Sequence, residues 1–306
     1  MTKLRISIVQ YLNTAPLVWG FTHGPLAGKY DLSFTVPSQC AEALRAGAAD
    51  IAIIPAIEYQ RINGLAILPD VAIASKTQVR SLLLVAKKPV TEVRSIALDS
   101  SSRSTQALTR ILCADHWRIA PQFSEAAPEL QAMLQNADAA LLIGDTALRL
   151  AITVEAAARR DAGRVLLCRP TAAGLAGAGV ENSPDLHIYD MVEEWRSSTG
   201  LPAVLALWAA RDGVVNEEVL QDFAASRDFG LAHLARISEV AATELKLPAI
   251  ALSAYLRRNI DYSLDEQNRC GLEHFFARAA KIGLIKQHTA IRWAGKANSL
   301  CQTVRI

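Results

Sequence analysis

Long hydrophobic runs are missing. No apolar stretch approaches the ~18 residues that a membrane-spanning helix needs, so no membrane partner is expected. Cysteine is scarce: Cys40, Cys113, Cys168, Cys270 and Cys301 are odd in number and far apart. With no CxxC pair and no HExxH among the histidines, neither a disulfide framework nor a bound metal is expected. Reduced thiols of a cytosolic protein are the simplest account. Charge of one sign is lacking too, since 32 basic residues face 30 acidic ones. The densest basic pair, Lys87-Lys88, reads as a solvated strand end, so a nucleic-acid partner is not expected. Gly177-x-Gly179 does not join a strand to a helix as a dinucleotide fingerprint must. At the N-terminus, Lys3 and Arg5 precede only Ile6 to Val9 before Tyr11, Asn13 and Pro16 interrupt. No secretory segment is expected, and the reading is cytoplasmic.

What is present is a core. Hydrophobic residues make up 51% of the 306 and charged residues 20%. Leu4–Val9, Asp31–Val36 and Asp50–Ile54 read as strands, the last stopped by Pro55. Between them lie helical patterns, one carrying Leu17, Val18 and Phe21, the other opened by Pro37-Ser38 with Ser38 as N-cap. This β-α-β-α-β order argues for a largely parallel, helix-covered sheet. Val71–Ala74 and Val79–Ala86 are further strands. The pattern restarts with Ser95–Asp99, a helix carrying Leu108, Ile111 and Leu112, a helix over Pro128–Gln135, and the strand Ala139–Ile143. Arg164–Cys168 reads as one more strand and Thr171–Asn182 as a loop. Asp190 is placed to cap a helix with Glu193 reciprocating. Leu201–Ala210 reads as a buried strand. Leu272, Phe275, Phe276, Ala279 and Ala280 repeat at helical spacing, and Gly283 closes that helix. Two α/β modules follow, arranged either in tandem or with a chain that leaves the first, builds the second and returns.

Ligands of parallel α/β sheets bind where strands end. Polar loops follow the expected strands at Tyr11 to Thr14, Pro55 to Tyr59, Asp99 to Thr105, and Gly144 to Thr146. Facing lobes would let all of them line one cleft for a small anion. Ser100, Ser101, Ser102, Arg103, Ser104 and Thr105 open a helix whose amides and hydroxyls suit a carboxylate or phosphate. The same run also reads as an ordinary cap facing water. Asn13 supplies a donor and an acceptor, or simply makes a turn. Glu58 reads as a general base or, more readily, as a carboxylate favoured at a helix start. Asp145, after Gly144, could contact ligand, cap a helix or pin the lobes. Ser81 lies in a very apolar run, either as a satisfied core serine or as a ligand contact. Trp195 and Trp208 read as core. No Ser/His/Asp triad or carboxylate pair can be assigned. Catalysis here would rest on orienting an intrinsically reactive substrate.

Seven segments carry a family resemblance: YLNTAPL at 11–17, DIAIIPAIEYQR at 50–61, VRSLLLVAKKP at 79–89, ALDSSSRSTQAL at 97–108, LLIGDTAL at 141–148, EEWRSSTGLP at 193–202 and NIDYSL at 259–264. In this order, over about residues 4 to 285, they resemble the MqnA-type chorismate dehydratases of the futalosine route to menaquinone, in the MqnA/MqnD family. The resemblance implies an α/β, type II periplasmic-binding-protein-like fold, with two lobes of mixed, mostly parallel sheets around a central cleft. It favours the out-and-back chain path, with 1–88 and 206–306 forming one lobe and 89–205 the other. It implies a hydro-lyase that converts the dicarboxylate chorismate to 3-[(1-carboxyvinyl)oxy]benzoate and water without metal or organic cofactor, as a monomer or homodimer. Asn13 and Ser81 match the catalytic positions. Ser100 to Thr105 match a carboxylate cradle, Gly144 and Asp145 the second-lobe GD, and Pro55 and Glu58 complete the expected substrate contacts. The related 1,4-dihydroxy-6-naphthoate synthases match the first and fourth segments less well. A cytosolic binding protein for an aromatic acid, without catalysis, is the alternative from another class. The tail from His288 to Ile306 departs from the family pattern.

Overall fold

The computed structural model describes residues 3–160 and 186–295. The strand expected at Arg164–Cys168, the loop at Thr171–Asn182 and the last eleven tail positions, 296–306, lie outside the described residues.

The first sheet has the order β2-β1-β3-β10-β4, from Asp31–Thr35, Arg5–Val9, Ile51–Pro55, Ala203–Arg211 and Leu65–Ser75. The second has the order β7-β6-β8-β5-β9, from Gln122–Ala126, Ser95–Asp99, Ala139–Ile143, Leu82–Ala86 and His187–Asp190. Strands β3 and β8 are buried at every position, as expected of strands covered by helices on both faces. Within each sheet, β1, β2 and β3, or β6, β7 and β8, run parallel. The strand paired antiparallel to them is the one that arrives from the other half of the chain: β10 against β3, and β5 against β8. The out-and-back path is therefore built into the sheets. The exchange comes earlier than the expected boundary at 88/89, because β5 pairs with β8 and β9 of the second sheet rather than with the first.

Helices cover both sheets. In chain order they are α1 (Ala15–His23), α2 (Pro37–Arg45), α3 (Ala56–Tyr59), α4 (Arg103–Asp115), α5 (Leu130–Asn136), α6 (Gly144–Arg160), α7 (Met191–Thr199), α8 (Glu217–Ala232), α9 (Leu234–Leu245), α10 (Ala249–Arg258) and α11 (Glu266–Lys281). Helix α2 starts at Pro37 with extended Val36 as its cap, so Ser38 is not the cap. Proline suits the first helical position, where its missing N–H would have no partner. The Asp190 cap is as expected, and its carboxylate accepts from the Val192 and Glu193 amides. It also accepts from Val79 N and Arg80 N, at 3.0 and 2.6 Å, where the chain crosses from β4 to β5. One carboxylate thus fixes both a helix start and the crossing. Arg80 there has a positive φ of 63° and an ion pair to Glu155 at 2.7 Å.

Strands β7 and β9 were not visible in the sequence. Their partly exposed faces lack an apolar alternation to mark them. The near part of the tail is ordered. Ile67 N donates to Arg292 O and Ala294 N to Ile67 O, each at 2.8 Å, so the tail covers the free edge of β4.

Candidate functional site

The loops that end the strands do meet. A 3-10 turn over Leu12–Thr14 follows β1, α3 follows β3, the serine run follows β6, and α6 follows β8. Between the lobes they enclose a cavity of about 40 Å³. Asn13, Tyr11 and Pro55 line it from the first lobe, and Ser102, Thr105 and Gly144 from the second. The rest of its lining is mainly apolar, including Ile73, Leu82, Ile143 and Leu205. No carboxylate, imidazole or amine lines it among the described residues.

Hydrogen bonds hold the lobes together at this point. The Tyr11 hydroxyl donates to Ser101 Oγ at 3.2 Å, and Leu12 N to Asp145 Oδ1 at 3.1 Å. Ser38 N donates to Ser101 O, and Ile57 N to Ser104 Oγ, each at 3.0 Å. Gly144 sits at φ 63°, where a Cβ would meet the Tyr11 ring at 3.0 Å. Glycine is required there both by its backbone and by the ring above it.

The expected serine cradle divides into separate roles. Ser102 Oγ and Thr105 Oγ1 lie 3.0 Å apart, at the start of α4 and on the cavity. Ser101 is bonded to Asp99, Ser104 takes the Ile57 amide, and Ser100 is exposed. Arg103 turns away from the cavity lining and pairs with Glu42 at 2.7 Å and Glu58 at 3.0 Å. Glu58 is fully buried and also pairs with Arg45 at 2.5 Å and Arg61 at 2.9 Å. Two expected substrate contacts, Glu58 and Arg103, are therefore partners of each other across the lobes. The sequence could not show that pairing, since 45 positions separate them.

Ser81 lies behind the cavity. It is 1% exposed, and its Oγ accepts from the Tyr255 hydroxyl at 2.9 Å. Its carbonyl accepts the Gly144 amide at 2.8 Å, which sets the position of that lining residue. Asp145, next to it, opens α6. Burial pushes its carboxyl up to about 6, only partly opposed by the Leu12 amide. Burial also raises Asp99, while the bonds from Ser101 pull it back. The Tyr11 phenol is raised, first by burial. Tyr11 and Asp99 stood in the loops expected to line the cleft but without a role of their own, and Tyr255 was missed. Asp99 could have been found from its place between a buried strand and the serine run. Tyr255 comes from α10, whose sequence gives no hint of the cleft.

A sequence model of a family described as menaquinone biosynthesis matches residues 4–281. A chorismate dehydratase of Thermus thermophilus is 26% identical over 281 residues, covering 91% of this chain and 95% of that protein. Among solved structures, a protein of Archaeoglobus fulgidus superposes with a TM-score of 0.65 at 17% identity, covering 92% of this chain and 98% of the other. The periplasmic aliphatic sulphonate binding protein of Escherichia coli gives 0.55 at 15% identity, with 98% and 96% covered. The fold is that of periplasmic binding proteins. No helix among the described residues is long and apolar enough to cross a membrane.

Proposed function

The chain belongs to the menaquinone biosynthesis family, and we propose that it is a chorismate dehydratase acting in the futalosine route. The reaction converts chorismate to 3-[(1-carboxyvinyl)oxy]benzoate and water. The observation that carries this reading is the cavity itself. Residues from both lobes converge on it with an amide side chain, hydroxyls and a helix N-terminus, and among the described residues no base lines it.

That set suits a substrate that needs holding more than attacking. Chorismate has two carboxylates and a cyclohexadiene. Loss of a ring proton and the neighbouring hydroxyl makes a benzene ring, so aromatisation drives the step. The first amides of α4, with the Ser102 and Thr105 hydroxyls, offer a carboxylate seat. Asn13 can donate and accept beside the ring. Ser81 acts from behind, through Gly144. With no carboxylate of the described residues on the cavity, the reading favours a carboxylate of the substrate itself as proton acceptor. Orientation then supplies much of the rate. At about 40 Å³ the cavity is far below the roughly 300 Å³ of a small-molecule site. The lobes must part to admit chorismate and close again on it, excluding water. No metal or organic cofactor is invoked.

The test is incubation with chorismate, followed by ultraviolet absorbance and mass. Catalytic loss of one water is expected. Asn13→Ala should cut turnover by about 100-fold, the scale of a lost positioning group, with little change in melting temperature. Ser81→Ala keeps the carbonyl that holds Gly144 but leaves the buried Tyr255 hydroxyl without its acceptor, and should lower turnover less and lower the melting temperature. Binding without turnover would sink the dehydratase reading and leave a binding protein for an aromatic acid.

A further inference from the structure

Asp99 ends β6 and is 1% exposed. Its Oδ1 accepts from Ser101 N at 2.9 Å and from Ser101 Oγ at 2.6 Å. Its Oδ2 is buried, and the Ile143 amide stands beside the carboxyl. Ser101 Oγ accepts in turn from the Tyr11 hydroxyl at 3.2 Å. This short chain joins the lobes, and its direction is fixed from one end. An ionised carboxylate can only accept, and a hydroxyl has a single proton to give. Ser101 gives its proton to Asp99, and Tyr11 gives its proton to Ser101. The Tyr11 oxygen then has lone pairs left and no proton. Tyr11 lines the cavity, with its ring held against Gly144.

We propose that Tyr11 is a specificity-determining residue: Asp99, through Ser101, holds it as a hydrogen-bond acceptor that selects a ligand hydroxyl and turns a carboxylate away. Asp99 and Ser101 are positioning residues in this arrangement. The inference rests on the chorismate reading and adds an orientation to it. The substrate carboxylate takes the Ser102 and Thr105 side, where α4 begins. The ring hydroxyl faces Tyr11. The product has lost that hydroxyl, so Tyr11 tells substrate from product.

Wild-type turnover of chorismate decides the underlying reading. The Tyr11 inference is decided separately, by the ratio of chorismate affinity to product affinity, measured by calorimetry if no turnover occurs. Tyr11→Phe keeps the ring and removes the acceptor. It should weaken chorismate about tenfold, the scale of one hydrogen bond, raising KM more than it lowers kcat. Product inhibition should change less than about twofold on the same scale, since no bond to Tyr11 is lost. Ser101→Ala frees the Tyr11 proton to point into the cavity, and should erase the same discrimination with Tyr11 still present. Ser101 is partly exposed, so this variant keeps the proposal testable if another melts early. Equal weakening of chorismate and product by both variants, or no weakening by either, would overturn the inference.

Discussion

Replacing Asp145 with Asn should stabilise the protein at neutral pH, and the benefit should vanish in acid. The Asp145 carboxyl is raised from 3.8 to about 6, first by burial and secondarily by Glu244, while the Leu12 amide and Arg149 oppose the shift. A carboxyl raised on folding keeps its proton in the native state where the unfolded chain has released it. Stability from this group therefore falls as pH rises from about 3.8 through about 6. The full rise corresponds to about 3 kcal/mol. Asn keeps an oxygen for the Leu12 amide, at 3.1 Å from Oδ1 in the native protein, and never ionises. The mutant and wild type should thus have equal unfolding free energies below about pH 4, with the mutant ahead by at most about 3 kcal/mol above about pH 7. The figure is an upper bound, because parting of the lobes would hydrate the carboxylate without unfolding the chain. Urea unfolding followed by tryptophan fluorescence across that range gives the difference curve, in which the other carboxylates cancel. A difference independent of pH, or one that grows toward acid, would refute the reasoning.

Three further substitutions probe packing and charge. At Gly230 a Cβ would lie 1.8 Å from the Pro16 carbonyl oxygen, so Gly230→Ala must push α8 away from α1. It should cost about 3 kcal/mol or more, by overpacking, whereas Gly200→Ala, in open space at φ 72°, should cost only about 1 kcal/mol. Thermal melts of the two variants side by side check the contrast, and equal losses would contradict it. Glu58→Gln leaves the guanidinium groups of Arg45, Arg61 and Arg103 without the carboxylate they share. A loss of about 3 kcal/mol in urea unfolding is expected. Because Arg103 reaches Glu58 from the other lobe, the radius of gyration from solution scattering should also rise. An unchanged radius would show that this pair does not hold the cleft closed.

Local signals were legible wherever one element carried them. The buried runs of β3 and β8, the Asp190 cap, the Gly200 and Gly283 helix ends and the apolar face of α11 all stand in the sequence as they stand in the structure. The strand exchange was suggested by two apolar runs that flank the second module, and the antiparallel placement of β5 and β10 gives it form. Edge strands β7 and β9 escaped because half-exposed edges need no apolar code. The serine run was located as an opening of α4, but its division of labour was not. Whether a hydroxyl faces ligand or protein depends on what stands across the cleft.

That dependence explains why Arg103 and Glu58 were counted among the expected ligand contacts. A cation beside a serine run, and a carboxylate after a buried strand, are the chemistry a ligand would need. They are equally the chemistry two lobes need to close on each other. Other bonds across the lobes join Tyr11 to Ser101 over 90 positions and Leu12 to Asp145 over 133. Each spends a polar group that the sequence offers to a ligand. What remains on the cavity is a shorter set: Asn13, Ser102 and Thr105, with Tyr11 in the wall. A site between lobes is thus read by subtraction, and only the groups that closure leaves unspent are available for chemistry. If Arg103 were among them, Arg103→Lys would change the affinity for a dicarboxylate in the closed state. The pairing with Glu58 and Glu42 instead predicts that this substitution alters the lobe opening seen by scattering and leaves saturated turnover nearly unchanged.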